Sequence, residues 1–233
     1  MSTLRVHDKL NTPIAIHNEE ETGKCIHTAD AVHTAIARLA MGIRLQYQDA
    51  KPVILVLLEG ARVGANLLEA QLKALGQEYD IDYMKVSSYG KGQVSGTVEL
   101  ETFPSISLEK RDVLLFDDLL DTGKTLLRTR DWCLQEKGAS TVTCAVVFKK
   151  MHVRTAECEN LVGDLFGLSI PDVFVYGTGL DNAGVDREKI GLWQCPVKKE
   201  EHVSVVAPAV SHANDVSSVE VDSSVSSLSS LHR

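Results

Sequence analysis

No stretch of this 233-residue sequence approaches the roughly 18 uninterrupted apolar residues that a membrane-crossing helix needs. The opening MSTLRVHDKL also lacks the apolar centre of a secretory leader, so the chain is expected to stay in the cytoplasm, where it is made. Its five cysteines, Cys25, Cys133, Cys144, Cys158 and Cys195, are odd in number, irregularly spaced and never C-x-x-C. That pattern excludes a disulfide framework and a zinc site and predicts reduced thiols. The eight histidines are scattered, without H-E-x-x-H or any paired spacing, and none is assigned to metal or catalysis. An excess of basic charge is missing too: 32 acidic side chains face 24 basic ones, for a net charge of −8. A protein that grips nucleic acid carries the opposite balance, although a local basic pocket for a small phosphorylated ligand is compatible with it. No internal repeat is visible.

What remains is an ordinary globular composition, 44% hydrophobic and 24% charged. One segment departs from it. Glu201–Arg233 holds ten serines and eight valines, no aromatic residue and no sustained period, and is expected to form a disordered tail. The other 200 residues alternate helix and strand. Thr28 is placed to cap a helix whose Val32, Ile36, Leu39, Ala40 and Ile43 share one face. Val53–Leu58 is apolar at every position, as a strand covered on both sides is. Leu67, Leu68, Leu72 and Leu75 mark a second helix closed by Gly76. A strand at 81–86 leads into Ser87–Gly92, read as a mobile loop. Val113–Phe116 is a third strand, and a helix with Leu126, Leu127, Cys133 and Leu134 stops at Gly138. Val142–Phe148 and Val173–Tyr176 complete the strands. The class is α/β with a mostly parallel sheet flanked by helices. In such sheets ligands bind beyond the carboxyl ends of the strands, where loops 59–62, 117–123 and 149–152 are expected to converge.

The informative segment is Val113–Thr125, in which a buried strand delivers Asp117 and Asp118, then Asp121, then a polar turn opening a helix. Main-chain N–H groups at Thr122, Gly123, Lys124 and Thr125, reinforced by the helix dipole, suit one phosphate. Adjacent carboxylates suit vicinal sugar hydroxyls, so the pair of features points to a ribose 5-phosphate. Two rival phosphate motifs fail by counting. A P-loop ending in Gly123-Lys124-Thr125 would need glycine at position 118, which is Asp118, and Gly177-Thr178-Gly179 would need glycine where Asn182 stands.

This segment resembles the phosphoribosyl pyrophosphate signature of the type I phosphoribosyltransferases. From about Cys25 to Cys195 the chain resembles the hypoxanthine (6-oxopurine) phosphoribosyltransferases in particular. Glu59 and Gly60 are similar to that family's pyrophosphate loop, and Ser88-Tyr89 to the start of its flexible catalytic loop. Lys150 resembles its purine-facing lysine, and the stretches at 170–175 and 179–181 with Arg187 resemble its purine-binding hood. The resemblance implies transfer of phosphoribose to a 6-oxopurine, hypoxanthine or guanine, with loss of pyrophosphate, magnesium as cofactor and an oxocarbenium-like transition state. It assigns Asp121 to the purine N7 proton and Asp117 and Asp118 to the ribose hydroxyls. Thr122, Gly123, Lys124 and Thr125 would cradle the 5-phosphate. Lys150 would donate to the 6-oxo group, Phe174 stack on the base and Val175 offer main-chain groups to its edge. Asp181, with Asp117, would lie at the metal, and Arg187 would bind pyrophosphate. A homodimer or homotetramer is implied. Residues 1–200 would form the catalytic domain, with a hood built from the N-terminal segment and about 165–198.

Three positions depart from the family pattern: Glu59 where lysine or glycine is common, Ala61 in place of a glycine, and Val173 in place of a polar residue. An acid beside pyrophosphate is repulsive; Arg62 could offset it by pairing with Glu59 or by reaching the ligand, and the second is expected. The sequence leaves open a preference for another base, such as xanthine. It also leaves open a regulator that senses phosphoribosyl pyrophosphate, a reading the acidic charge disfavours. Because 201–233 lacks apolar surface to dock, its deletion should leave melting temperature and turnover nearly unchanged, measured side by side with the full chain.

Overall fold

The computed structural model describes residues 23–89, 97–161, 165–182 and 184–196, and the serine-rich tail lies outside them. The described chain opens with β1 (Lys24–His27), α1 (Ala29–Tyr47), β2 (Val53–Leu58) and α2 (Ala61–Ala74). Next come β3 (Asp80–Tyr89), β4 (Thr97–Leu100), β5 (Asp112–Leu120) and α3 (Lys124–Asp131), which runs on through a π-helical turn at Trp132–Glu136. It closes with β6 (Thr141–Lys150), the single turn α4 (Ala156–Glu159), β7 (Phe166–Ile170), β8 (Val175–Tyr176) and β9 (Leu192–Gln194). Six strands form one sheet in the order β4-β3-β2-β5-β6-β7. Every neighbouring pair in it is parallel except β3 with the edge strand β4.

The strand pleat sorts the core. On β2, Ile54 and Val56 face α1 and α2, while Val53, Leu55 and Leu57 face the α3 side. Both faces are dry, which is why the run carries no polar residue. Thr28 caps α1 by accepting from the Ala31 amide at 3.3 Å, and Val32, Ile36, Leu39, Ala40 and Ile43 are all buried. On the opposite face, Trp132 is buried under Phe103 with ring centroids 5.5 Å apart.

The structure revises several sequence readings. Ser87-Ser88-Tyr89 does not begin the loop. These residues extend β3 and pair antiparallel with β4, Ser88 opposite Val98. That hairpin is anchored by the Asp82 carboxylate, which accepts from the amides of Ser105 and Ile106. The side chains of Ser88 and Tyr89, and residues 90–96, lie outside the described part. Asp117 and Asp118 lie within β5, because β6 keeps pairing through Leu120 and so satisfies the main chain of residues that disfavour strands. The strand expected at 173–176 shortens to β8 and leaves the main sheet. Conversely, Phe166–Ile170, expected to belong to the hood, is the sixth strand of the main sheet.

The smaller body is a three-stranded antiparallel sheet, β1-β9-β8, with the loop that joins β8 to β9. Trp193 stacks on Tyr176, and the Lys189 ammonium sits 3.8 Å above its ring centroid. Thr178 is fully buried at a φ of 46°, its hydroxyl donating to the Gly191 carbonyl and accepting from the Gly191 amide. This pins the 177–180 turn, so that Gly179 presses on the loop after β2. A Cβ at Gly179 would stand 1.8 Å from the Gly60 carbonyl oxygen, at a φ of +101°. Gly179→Ala should therefore lower the melting temperature by roughly 5–10 °C, combining backbone strain with a backbone clash. Gly76→Ala is the control, since its φ is +66° but its Cβ would meet nothing within 4 Å. Equal melting of the two variants would show that the Gly179–Gly60 contact carries no stability.

Candidate active site

The carboxyl ends of β2, β5 and β6 meet, as expected of loops 59–62, 117–123 and 149–152. At the first of them the Leu58–Glu59 peptide is cis. Gly60 opens α2 so close to β5 that a Cβ there would lie 1.7 Å from Asp118 Oδ2. The glycine thus makes room for a carboxylate. Arg62 does not reach outward. It turns back one helical turn to pair with Glu59, Nη2 to Oε2 at 2.9 Å, with both side chains half exposed. The charge of Glu59 is offset within its own loop, a simpler solution than the contact expected from sequence.

Asp117 and Asp118 are partly buried neighbours, and the Asp118 amide donates to Asp117 Oδ1 at 2.9 Å. Burial first, and then the Asp118 charge, pushes the Asp117 carboxyl well above the usual carboxylate range. Burial raises Asp118 as well, partly countered by its hydrogen bonds and by the positive charge of Arg187. Arg187 itself donates to the Gly179 carbonyl at 2.8 Å and to Asp181 Oδ1 at 2.7 Å. Asp181 Oδ2 accepts from the Gly184 amide. Arg187 therefore links the turn of the small body to the acidic end of β5.

At the turn after β5, Gly123 adopts a φ of +84°, and a Cβ would lie 2.8 Å from Cys158 Cβ. Only glycine fits both demands. Thr122 and Lys124 are exposed around it, and Thr125 lies in the first turn of α3.

A second group forms around Lys150, whose side chain is only 9% exposed. Its Nζ lies 3.0 Å from Asp121 Oδ2, 3.4 Å from Asp172 Oδ1 and 5.7 Å from the Phe174 ring centroid. Lys149 points the other way, to Glu159, so the two lysines are not an exposed charge pair. Phe174 is 72% exposed and lies just before β8, which excludes a core role for it. Val175 is buried in β8, whose outer side has no strand partner among the described residues.

Three members of this arrangement receive no role from the sequence, although Asp172 lies in the 170–175 stretch and His152 in the 149–152 loop. Asp172 pairs with Lys150. His152, passed over among scattered histidines, has Nε2 3.6 Å from Asp121 Oδ1 and Nδ1 3.3 Å from Asp172 Oδ1. Burial raises the Asp172 carboxyl, but its contacts with His152 and Lys150 outweigh that and leave it below its ordinary value. Arg154 has a side chain 1% exposed. Its guanidinium donates to the main-chain carbonyls of Leu120, Asp121, Lys150 and His152, and pairs with Glu159 at 3.0 Å. No local pattern around an arginine in a loop announces such a clamp.

Asp121, His152 and Asp172 bring potential ligand atoms within 4.8 Å of one another. The cation already at this group is the Lys150 ammonium, and imidazole is a poor partner for magnesium. The group does not include Asp117 or Asp181, the two carboxylates expected at the metal.

The profile of the phosphoribosyl transferase domain matches residues 23–182. Fold and site thus define the class, an α/β phosphoribosyl transferase scaffold. The hypoxanthine-guanine phosphoribosyltransferase of Aquifex aeolicus is 32% identical over 160 residues, covering 68% of this chain and 86% of that protein. That of Streptococcus thermophilus is 31% identical over 184 residues, covering 78% and 97%. Among solved structures, the hypoxanthine phosphoribosyltransferase of Staphylococcus aureus matches with a TM-score of 0.65 at 26% identity, covering 77% of this chain and 95% of that one. The chain belongs to the hypoxanthine phosphoribosyltransferase family.

The acidic pair has a measurable signature. A carboxyl raised in the folded state adds stability that is full below the unfolded value, about pH 3.9, and is lost as pH rises through the folded value. Asp117→Asn keeps the amide contact but removes one charge. It should raise the melting temperature near pH 7.5 by about 2–4 °C, on the order of 1 kcal/mol, with the gain shrinking toward pH 4. A gain independent of pH would mean that charge is not its source.

Proposed function

We propose that the protein transfers the 5-phosphoribosyl group from phosphoribosyl pyrophosphate to a 6-oxopurine, hypoxanthine or guanine, releasing the nucleoside monophosphate and pyrophosphate in purine salvage. The observation that carries this is one juxtaposition. A buried ammonium, an exposed aromatic ring and Asp121 converge at the end of β6, and Asp121 stands three residues after the acidic pair and just before the glycine turn that opens α3. A purine with an oxygen at C6 satisfies the first three groups, and a phosphorylated ribose satisfies the others.

In this reading the substrate's 5-phosphate sits at Thr122, Gly123, Lys124 and Thr125, where four successive amides and the start of α3 favour an anion. Asp117 and Asp118 accept from the two ribose hydroxyls, held by Gly60 at the reach its missing side chain allows. Phe174 covers one face of the base, Lys150 donates to the 6-oxo group, and the open side of β8 at Val175 meets the purine edge. Purine N9 attacks C1 of the ribose as the bond to pyrophosphate breaks, and Asp121 takes the proton from N7. Arg187 neutralises developing charge on pyrophosphate, with Ser88 and Tyr89 at the end of β3 taking part in binding phosphoribosyl pyrophosphate. Glu59 and Gly60 line the pyrophosphate loop, Glu59 being masked by Arg62.

Magnesium enters as part of the substrate complex. The residues fit it: burial raises the carboxyls of both Asp117 and Asp118, and the Asp118 charge raises Asp117 further, so the pair gains from added positive charge, and Asp181 offers hard oxygen atoms. When bound, the ion screens the negative charge of pyrophosphate. The proposed setting is cytoplasmic, as a homodimer or homotetramer. Exposed Met41 and Leu45 on α1 are consistent with such packing. No helix among the described residues is long and apolar enough to cross a membrane.

The test is to incubate the protein with phosphoribosyl pyrophosphate, magnesium and each of hypoxanthine, guanine, xanthine and adenine, and to resolve the nucleotides formed. Products from hypoxanthine or guanine are expected. Turnover confined to xanthine or adenine would overturn the base assignment. Asp121→Asn should lower kcat by about 10²–10⁴-fold with little change in melting temperature. Near-native turnover in that variant would remove Asp121 from its role.

A further inference from the structure

His152 stands two residues beyond β6, its ring wedged between two carboxylates. Nε2 faces Asp121 Oδ1 at 3.6 Å, a small side-chain rotation from hydrogen-bond distance. Nδ1 is closed off from solvent and, among the described residues, lacks a properly aligned partner, although Asp172 Oδ1 is only 3.3 Å away. The main chain beneath the ring is fixed, because the His152 carbonyl accepts from the same Arg154 guanidinium that holds the Asp121 carbonyl. The charged groups around the ring are therefore Asp121 from the end of β5, Asp172 from the turn after β7, and Lys150 and Arg154 from its own segment. Glu159 lies behind Arg154, paired with it and with Lys149.

This arrangement divides the two oxygens of Asp121. Oδ2 is held by Lys150, and Oδ1 looks toward the imidazole. A neutral ring leaves one buried nitrogen poorly satisfied, whereas a protonated ring stands between two anions with a donor toward each. Imidazole is also the side chain whose ordinary titration falls at physiological pH. Asp121 itself is 47% exposed, which leaves room for a purine on its open side.

We propose that His152 is a positioning and proton-relay residue that acts through Asp121, an inference that rests on the assignment of Asp121 to the N7 proton. As the glycosidic bond forms, the N7–H bond breaks, its electron pair stays on the purine, and the proton joins an Asp121 oxygen. The Asp121 O–H bond then breaks as an N–H bond forms at His152 Nε2. This restores the carboxylate and gives an imidazolium held between Asp121 and Asp172. Loss of that proton to water returns the ring to neutral, and it is the proton the overall transfer releases. Asp172 serves as the orienting carboxylate, and Lys150 keeps Asp121 from swinging toward the ring when the proton is absent.

The experiment measures single-turnover nucleotide formation from hypoxanthine, phosphoribosyl pyrophosphate and magnesium between about pH 5.5 and 8.5, so that product release does not mask the step. The wild-type rate should rise with pH along a limb set by an imidazole, since only the neutral ring accepts a proton. His152→Gln fills the same space without titrating. It should lower the rate about tenfold near neutral pH and abolish that limb, leaving the KM for phosphoribosyl pyrophosphate unchanged. Retention of the wild-type rate and limb would overturn the relay. A lower rate with the limb intact and both KM values raised would overturn it too, by showing a packing role. If His152→Gln melts at a lower temperature, Asp172→Asn gives the second arm: removing the anion behind Nδ1 should move the limb to lower pH, and an unmoved limb overturns the proposal. A wild-type protein that forms no nucleotide from any 6-oxopurine would remove the functional assignment together with the relay. A wild-type protein that turns over while the limb survives in His152→Gln removes the relay alone.

Discussion

The guanidinium of Arg154 is the contact on which the geometry of the base-facing groups depends. A charge this deeply buried is costly unless its donors are met. Here they are met by four main-chain carbonyls, two from the end of β5 and two from the end of β6, and by the Glu159 carboxylate. Hydrogen bonds between β5 and β6 stop at Leu120 and Lys149, so beyond that point nothing in the sheet fixes the distance between the two chain segments. Arg154 takes over there. It sets where Asp121 stands relative to Lys150 and His152, and Glu159, held below its ordinary value by Lys149 and then Arg154, stays charged to anchor it.

The ribose side of the site is built on the opposite principle, by removal of side chains. Gly60 admits the Asp118 carboxylate, Gly179 admits the Gly60 carbonyl, and Gly123 admits Cys158. The main chain of the small body therefore rests directly on the loop after β2, and through it on the acidic pair. That pair is poorly placed for stability alone, since each carboxyl is raised by burial and Asp117 by its neighbour as well. Such a cost persists where binding recovers it: a ligand that brings hydroxyl donors or positive charge to these oxygens removes the penalty when it arrives.

Much of this was legible in the sequence, for identifiable reasons. Runs such as Val53–Leu58 and Val113–Phe116 announce strands covered on both faces, and Asp117–Thr125 carries its chemistry in consecutive residues, so both survive without knowledge of the fold. The failures share a cause. β8 and β9 are two and three residues long and exist only because they pair with each other and with β1. Ser87–Tyr89 has the composition of a loop and becomes strand because β4 returns beside it. His152, Asp172 and Arg154 act across the ends of separate strands, and periodicity along one segment cannot register contacts between segments. Arg62 was recognised as the partner of a charge, but its choice between Glu59 and a ligand depends on the first turn of α2, which places the two side chains one turn apart.

The placement of the two tryptophans has an optical consequence. Trp132 lies buried under Phe103 in the main body, where α3 runs into its π-helical turn, while Trp193 stands in the three-stranded sheet under the Lys189 ammonium. Each body thus carries its own fluorophore. With Trp132 replaced by phenylalanine and excitation selective for indole, the remaining tryptophan emission would originate from the small sheet alone. The distance between Lys189 and the indole would then modulate its intensity whenever the loop joining β8 to β9 shifts against Gly60. The molecule carries an intrinsic gauge of how its two bodies meet, with no dye attached.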